Sequence, residues 1–203
     1  MPSDRPAESL IEQDVAAADL PPDRDLRGWS FERCRFRHLD LSGLSSAGCR
    51  FVACDLTGSD LSGSHHTGSA FTNCRFEGAR LSTATFVDCK LTGSELTDIT
   101  TMGLVIGGGD WSYVNLRGVD LAGMDLGGLR LAHADLADAN LTGANLRGAD
   151  LTSANLRGTL LARTDLIDAE LNGTNLADAR LEGVQLDLRG AVRLAESLGA
   201  DIS

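Results

Sequence analysis

Apolar residues recur at every fifth position from Leu26 to Leu186 without a break in phase. The 33 five-residue units defined in this way carry 22 Leu, 6 Phe, one Ile and one Trp at their central position. The exceptions at this position are Ser46, His66 and Thr101. The position two residues before each centre holds mainly small or aliphatic residues, and all five cysteines occupy it. These two positions of each unit are therefore expected to point into a core.

The charged residues follow the complementary rule. Of the 36 charged side chains between Arg24 and Leu188, only Arg24 falls in either of the two inward positions. A step of five residues advances an α-helix by roughly 140°, so this pattern would not form a stripe on a helix. The pattern is also incompatible with simple alternation along a long strand.

A chain that turns a corner every five residues satisfies the pattern, because residues two apart in an extended segment point to the same side. Glycine occupies the second position after the centre in 18 of the 33 units. A tight turn benefits there from a residue without a Cβ atom. The sequence therefore predicts an all-β helical rod, a solenoid, over residues 24–188.

The two ends lie outside this repeat. Residues 1–23 carry a net charge of -5 and all four prolines. This composition predicts an acidic, flexible N-terminal arm with a short helix around residues 10–18. In residues 189–203, apolar side chains at 191, 194, 195 and 198 have helical spacing, and Gly199 follows as a stop signal. They predict a short amphipathic helix that caps the last coil.

The stretch from Thr100 to Trp111 has the weakest repeat chemistry. Thr101 stands at a centre, and Gly107, Gly108 and Gly109 leave a coil poorly filled. We expect a bend or a change of coil geometry here. The alternative interpretation is a locally underpacked segment without a function, since glycine clusters mostly report backbone tolerance.

The sequence contains no recognisable catalytic machinery. The cysteines match no zinc pattern and are expected to be reduced core residues. His66 is at an inward position without other ligands nearby in the sequence, which favours a core histidine over a metal ligand. Nucleophile-elbow and phosphate-loop motifs are absent. We expect a protein that is not an enzyme and has no cofactor, metal or small-molecule substrate.

The net charge of the chain limits the kinds of partner that it is expected to bind. The formal net charge is -11, which is the wrong sign for binding nucleic acid or an anionic membrane surface. The chain also lacks a run of about 18 apolar residues and a secretory leader, so a cytoplasmic location is expected. A basic protein surface is the partner that this charge favours.

The units Ala139–Gly143, Ala144–Gly148 and Ala149–Leu151 resemble the A(D/N)LxG units of pentapeptide-repeat proteins. The resemblance covers about four fifths of the chain. It implies a right-handed quadrilateral β-helix with four units per coil, hence about eight coils. At a spacing of about 4.8 Å per coil, the rod would be on the order of 40 Å long.

The segments Ser64–Glu77 and Leu186–Val192 carry a narrower resemblance, to the MfpA- and Qnr-like fluoroquinolone-resistance branch of that family. This resemblance implies an acidic rod of DNA-like girth that dimerises through its C-terminal end and occupies DNA gyrase. The chain departs from several Qnr relatives because its phase is never interrupted, so it lacks their projecting loops. The surface of the rod would then have to make the contacts.

The resemblance implies that the C-terminal helix also contributes to a dimer interface, beyond capping the rod. The residues expected there are Leu186, Leu188, Val192, Leu194, Ala195 and Leu198.

The C-terminal half is the acidic half, with 12 acidic and 6 basic residues from Asp110 to Asp187. In a C-terminal dimer these halves would meet and form one negative belt. The side chains predicted to contact the gyrase are Asp110, Asp120, Asp125, Asp135, Asp138, Asp150, Asp165, Asp168, Glu170 and Asp178. Two alternatives stay open: an acidic surface that only confers solubility, and an interaction scaffold with an unrelated protein partner.

Overall fold

The structure, a computed structural model, describes residues 8–202 as a parallel β-solenoid followed by one α-helix. Parallel bridges join residues 20 apart, from Asp25 and Ser45 at one end to Asp165 and Gln185 at the other. Because each unit has five residues, a register of 20 places four units in each coil. The predicted four-sided β-helical fold is confirmed.

Eight strands are long enough to be delimited, and the remaining units pair through single bridges. The strands are β1 (Ser9–Ile11), β2 (Ser30–Glu32), β3 (Ser45–Ala47), β4 (Arg50–Val52), β5 (His65–Thr67), β6 (Ala70–Thr72), β7 (Thr85–Lys90) and β8 (Val105–Asp110). One path of the sheet runs β1-β2-β4-β6-β7 and continues to β5 and β3, while β8 pairs with β7. All of the pairs are parallel.

The core is a narrow column formed by the two inward positions of each unit. The phenylalanines of one column lie one coil apart, so Phe31, Phe51 and Phe71 stack with ring centroids 4.8 and 4.5 Å apart. Four small polar residues in the other inward position donate to a backbone carbonyl of the preceding coil. The Ser94 and Thr159 hydroxyls donate to the carbonyls of Phe71 and Leu136, each 23 residues earlier, at 2.7 and 2.8 Å. A thiol or hydroxyl can therefore fill this position without leaving a buried polar group unpaired.

All five cysteines are buried and unpaired with one another, which matches the expected core role.

The backbone conformation at the corners explains why glycine is frequent there and why a polar residue often precedes the centre. The corner residue has a positive φ, 68° at Gly143 and 52° at Ala53, and glycine adopts this conformation without strain. An Asp or Asn just before the centre accepts a hydrogen bond from the backbone two residues later. Asp135 Oδ1, for example, accepts from the Ala137 N–H at 3.0 Å. This local bond stabilises the turn.

The solenoid begins earlier than predicted. Strand β1 pairs with β2, and Asp14 bridges Arg35, so residues 9–15 lie on the next coil instead of forming an arm. The register here is 21 residues, which breaks the five-residue phase and hides this coil in the sequence. The helix expected around residues 10–18 is wrong: only Ala17–Asp19 form a single 3-10 turn. The count of about eight coils is correspondingly low by one, and the part of the predicted arm before residue 8 lies outside the described residues.

The C-terminal helix is present as α1 (Leu188–Ser197). The carboxylate of Asp187 caps it, because its Oδ1 accepts from the Gly190 N–H at 2.8 Å. That bond and a second one, from the Asp168 N–H of the last coil, hold the pKa of Asp187 below its usual value, although burial opposes them. The cap thereby links the helix to the solenoid.

The predicted change of coil geometry around residues 100–111 is confirmed. On the two faces centred on Thr101 and Ile106, no backbone hydrogen bond described between residues 8 and 202 joins this coil to the next. The corresponding bonds are present one coil later, for example from the Leu126 N–H to the Asn145 carbonyl at 2.8 Å. The coils are therefore separated on two faces and joined on the other two.

Candidate protein-interaction surface

The ten predicted acidic residues occupy two kinds of position in the solenoid. Seven precede a centre, and three stand at corners. The first group comprises Asp110, Asp120, Asp125, Asp135, Asp150, Asp165 and Glu170. The corner group comprises Asp138, Asp168 and Asp178. All ten are half-buried or exposed.

The aspartates of the first group also have a structural role. Each of the six accepts the turn-forming hydrogen bond from the backbone two residues later, at 3.0 to 3.2 Å. Three of them also accept from an asparagine of the next coil, as Asp125 does from Asn145 at 2.7 Å. Such bonds hold the carboxylates in fixed columns along the rod.

Ion pairs neutralise part of the predicted set. The Arg130 guanidinium pairs with Asp110 at 3.1 Å, and that of Arg117 pairs with Asp138 at 2.6 Å. Arg147 lies 3.2 Å from Asp165 and 3.4 Å from Asp168. The six members without a cationic partner among residues 8–202 are Asp120, Asp125, Asp135, Asp150, Glu170 and Asp178.

Sequence reasoning did not include Glu182. Its side chain is exposed, and no ion pair of the described residues involves it. It stands directly after a centre, a position that most units leave open to solvent, so the five-residue phase could have identified it.

The two halves of the rod differ sharply in uncompensated charge. Residues 24–109 contain nine acidic and nine basic residues, and six of the nine carboxylates form ion pairs. Residues 110–187 contain twelve acidic and six basic residues, and only four of the twelve carboxylates are paired. The negative potential is thus concentrated on the C-terminal half.

The turn hydrogen bonds affect the pKa of Asp110. Partial burial raises its pKa, but the hydrogen bonds from Ser112 and the Arg130 guanidinium outweigh burial, and the net pKa lies below the usual value. The carboxylate is therefore ionised at neutral pH.

The predicted residues do not form one patch. Asp110, Asp150 and Glu170 share one column, in which Arg130 separates the first two. Asp125 and Asp165 share a second column, while Asp120 and Asp135 lie in the two others. The carboxylates therefore encircle the C-terminal half instead of marking one face.

The structure divides the six residues of the predicted dimer interface into three groups. Leu186 and Leu194 pack against the core of the solenoid, which gives the helix a capping role. Leu188 and Leu198 are 82% and 69% exposed. Val192 and Ala195 are half-buried between these extremes. Two large apolar side chains thus remain available on the C-terminal end.

His66 lies in the core, as expected. Its Nδ1 and Nε2 are 2.7 Å from the Ser46 hydroxyl and 2.9 Å from the Ser64 hydroxyl. Burial, assisted by the neighbouring His65, lowers its pKa to about 3. Residues 8–202 contain no group of side chains arranged to hold a metal ion, and none of their helices is long and apolar enough to cross a membrane.

Other proteins of known structure have a similar architecture. Full-length QnrB1, described as a plasmid-mediated fluoroquinolone resistance protein, is 22% identical, with a TM-score of 0.84 over 96% of this chain and 98% of its own. A trypsin-treated form of QnrB1 gives a TM-score of 0.83 over 97% and 98% of the two chains, also at 22% identity. HetL from the cyanobacterium Nostoc is 24% identical over 88% of this chain and 86% of its own, with a TM-score of 0.40. Among curated proteins, none matches the sequence.

The family models agree with the repeat read from the sequence. The model described as pentapeptide repeats (8 copies) matches residues 30–65, 115–152 and 149–190, and one described as pentapeptide repeats (9 copies) matches residues 51–95. The first alone covers more than half of the chain. The chain belongs to the pentapeptide-repeat family.

Proposed function

We propose that the protein is a DNA mimic that binds DNA gyrase at its basic DNA-holding surface. By occupying that surface it inhibits the enzyme, protects it from quinolone-like poisons that trap cleaved DNA, or does both. The observation that carries the proposal is the ring of unpaired carboxylates on the C-terminal half of the rod. A surface built to attract phosphates attracts such an array as well, through long-range steering and many modest contacts.

Two further observations support this function. QnrB1, which has the same fold along its whole length, is described as a fluoroquinolone resistance protein. In addition, Leu188 and Leu198 are exposed on the C-terminal end, where a twofold pairing would join two acidic halves into one continuous belt. The protein would act by occupancy, without a chemical step.

The test is DNA supercoiling and drug-stabilised DNA cleavage by gyrase, with and without a fluoroquinolone, while the purified protein is titrated from below stoichiometry to excess. We expect dose-dependent inhibition of supercoiling or loss of cleavage complexes. Binding should weaken steeply with added salt and be competed by duplex DNA. Unchanged activity of the gyrase from the same source would contradict the proposal.

The alternative is a non-catalytic scaffold for an unrelated protein partner. The separation of two coils near residue 106 favours it, because an opened ladder offers a second kind of binding surface. Binding to a scaffold partner through that surface would be insensitive to competing DNA.

A further inference from the structure

We propose that the gap between the coils near Ile106 binds an extended, cationic segment of a protein partner as an added β-strand. We call this gap the inter-coil groove. It is lined by residues 101–108 on one wall and by Asp120, residues 122–125 and Gly127 on the other. The proposal stands apart from the gyrase hypothesis, because neither the groove nor its occupant depends on that partner.

The hydrogen-bonded ladder between the coils is interrupted at the groove. On its Ile106 face, the backbone N–H groups of Ile106, Gly108 and Asp125 have no backbone partner across the gap. One coil later the equivalent N–H groups, those of Leu126, Gly128 and Asn145, all donate across the coils at 2.8 to 2.9 Å. On this face the carbonyls of Leu104, Asp125 and Gly127, which would accept such bonds, have no backbone donor across the gap either. An extended peptide satisfies such donors and acceptors along its whole backbone.

The walls also provide apolar contacts for alternate side chains of a bound strand. Met102 and Val105 are 77% and 51% exposed, and Met124 is half-buried on the opposite wall. Behind them Leu104 and Ile106 remain slightly accessible, whereas most central residues of the neighbouring coils are sealed. Methionine is unbranched and polarisable, so it adapts to side chains of different shape.

The charge of the groove selects a cationic partner. Asp120 and Asp125 lie on its rim, and the lining contains no Lys, Arg or His. Neither carboxylate forms an ion pair with the rest of the described chain. In each carboxylate, Oδ1 accepts the hydrogen bond of the turn and a second one from an asparagine side chain of the next coil. No hydrogen bond of the described residues uses Oδ2. A Lys or Arg flanking the docked strand would pair with these oxygens.

The groove is held open by the residues that form its upper wall. Strand β8 pairs with β7 over five residue pairs, and a Cβ atom on Gly109 would lie 2.1 Å from the Cys89 carbonyl. A glycine is therefore needed where β8 packs against the backbone of β7 at this point. On the other face, the Thr101 hydroxyl donates to the Asp120 carbonyl at 2.8 Å, in place of the usual backbone bond. The site thus exists before a ligand arrives, which lowers the cost of binding.

The probe is an array of capped heptapeptides in which Lys and Thr alternate with Val, Ile, Leu or Phe. A matched array carries Glu in place of Lys, and a third carries N-methylated backbone amides. Affinity for the full chain is measured by fluorescence anisotropy, and the site by backbone amide hydrogen exchange. We expect the Lys peptides to bind and to protect amides in residues 101–108 and 120–127. The Glu peptides should bind at least about tenfold more weakly, and N-methylation should abolish binding.

The matched variants replace Asp with the residue found in the next coil. Asn140 and Asn145 occupy the positions that follow Asp120 and Asp125 in their columns, so Asp120→Asn with Asp125→Asn keeps the turn bonds. We expect this double variant to weaken the Lys peptides about tenfold. Its control, Asp135→Asn with Asp150→Asn, removes the same charge away from the groove and should leave affinity unchanged.

Three outcomes would overturn the proposal. They are no binding by any peptide at about 1 mM, amide protection outside the groove, and equal weakening in the control double variant.

Discussion

His66 occupies a central position at which almost every other unit has a leucine or a phenylalanine. Its ring packs between Phe71 and Phe86, with centroids 5.1 and 4.6 Å away, and both ring nitrogens contact serine hydroxyls. A serine hydroxyl can donate or accept, so the neutral imidazole is fully hydrogen-bonded with one nitrogen donating and the other accepting. A proton added to this ring would be buried without an anionic partner.

We expect His66 to make folding depend on pH. Burial lowers its folded-state pKa to about 3, below the unfolded value of about 6.5, so the unfolded chain binds the additional proton. Its contribution is complete above pH 6.5 and is lost as the pH falls towards 3. At pH 5 the free energy of unfolding should be about 2 kcal/mol lower than at pH 8 from this residue alone. Urea titrations at several pH values measure it.

The matched variants for this prediction are His66→Leu and His65→Gln. The first replaces the buried ring and should remove the slope between pH 7 and pH 5. The second changes the exposed neighbour and should retain it. Equal slopes in the wild-type chain and His66→Leu would show that other groups cause the dependence.

At the scale of the structural element, the solenoid depends on glycine for two different reasons, one at Gly143 and the other at Gly109. Gly143 has a positive φ, as the other corner glycines do, and open space where a Cβ atom would lie. Gly109 has a φ of 104° and lies against the backbone of Cys89. Adding a side chain would strain the backbone at Gly143, whereas at Gly109 it would clash with neighbouring atoms.

Alanine substitutions separate these two effects. Gly143→Ala should cost about 1 kcal/mol of folding stability, the cost of a left-handed residue with a Cβ. Gly109→Ala should cost at least about 3 kcal/mol, because the clash with the Cys89 carbonyl forces β8 away from β7. Thermal and urea unfolding of both variants measures the difference. Equal losses would mean that β8 tolerates displacement from β7.

Sequence reasoning identified the elements whose residues keep the five-residue phase and missed those that do not. The phase from Leu26 to Leu186 located the core and the corners. Leu10 and Val15 also pack in the solenoid, but their 21-residue register removes them from that phase. Gly107, Gly108 and Gly109 predicted a change of geometry, although not which faces would open. That depends on hydrogen bonds between coils, which no local pattern records.

The N-terminal coil covers the first buried thiol, which provides a test of that element. The Cys34 thiol lies 3.3 Å from the Leu10 carbonyl, and burial raises its pKa, so it should resist alkylation in the folded chain. Removing residues 1–20 should expose Cys34 to iodoacetamide at pH 8 and leave Cys74 protected in the coils beyond. Mass spectrometry of the labelled peptides shows which thiol reacts. Continued protection of Cys34 would mean that the coil is dispensable for the core.

At the scale of the whole molecule, the acidic residues could be predicted individually but their pairing could not. Most ion pairs join residues 18 to 21 apart, one coil along the rod, as in Arg80 with Asp60. Such partners can be identified only once the register of 20 is known. The register then shows that the N-terminal half neutralises most of its carboxylates while the C-terminal half does not.

The proposed dimer predicts a simple change of mass. Leu188→Lys with Leu198→Lys places charges on the two exposed leucines of the C-terminal end. If that end pairs with its twofold copy, the double variant should be monomeric while the wild-type chain is dimeric, because a buried unpaired lysine is costly. The control is Ile11→Lys, an exposed apolar residue at the opposite end. Light scattering coupled to size exclusion measures the masses, and a wild-type monomer at micromolar concentration would refute the pairing.

Reversing charge around the rod tests whether the carboxylates of the C-terminal half act collectively. The choice of positions matters, because Asp120, Asp125, Asp135 and Asp150 hold turns as well as charge. Four substitutions spare those turns: Asp138→Lys, Asp168→Lys, Glu170→Lys and Asp178→Lys. They should abolish gyrase binding while the solenoid keeps its circular dichroism spectrum, and each alone should have a small effect.

The matched control reverses four exposed carboxylates of the neutral half, with Glu77→Lys, Asp88→Lys, Glu95→Lys and Asp98→Lys. Both quadruple variants change the net charge by +8, from -11 to -3. A general electrostatic attraction would therefore lose the same amount in each. Because eight carboxylates without an ion pair lie in residues 110–187 and three in residues 24–109, the control should retain most of its inhibition of supercoiling. Equal loss in the two variants would leave net charge, and not its position on the rod, as the cause of binding.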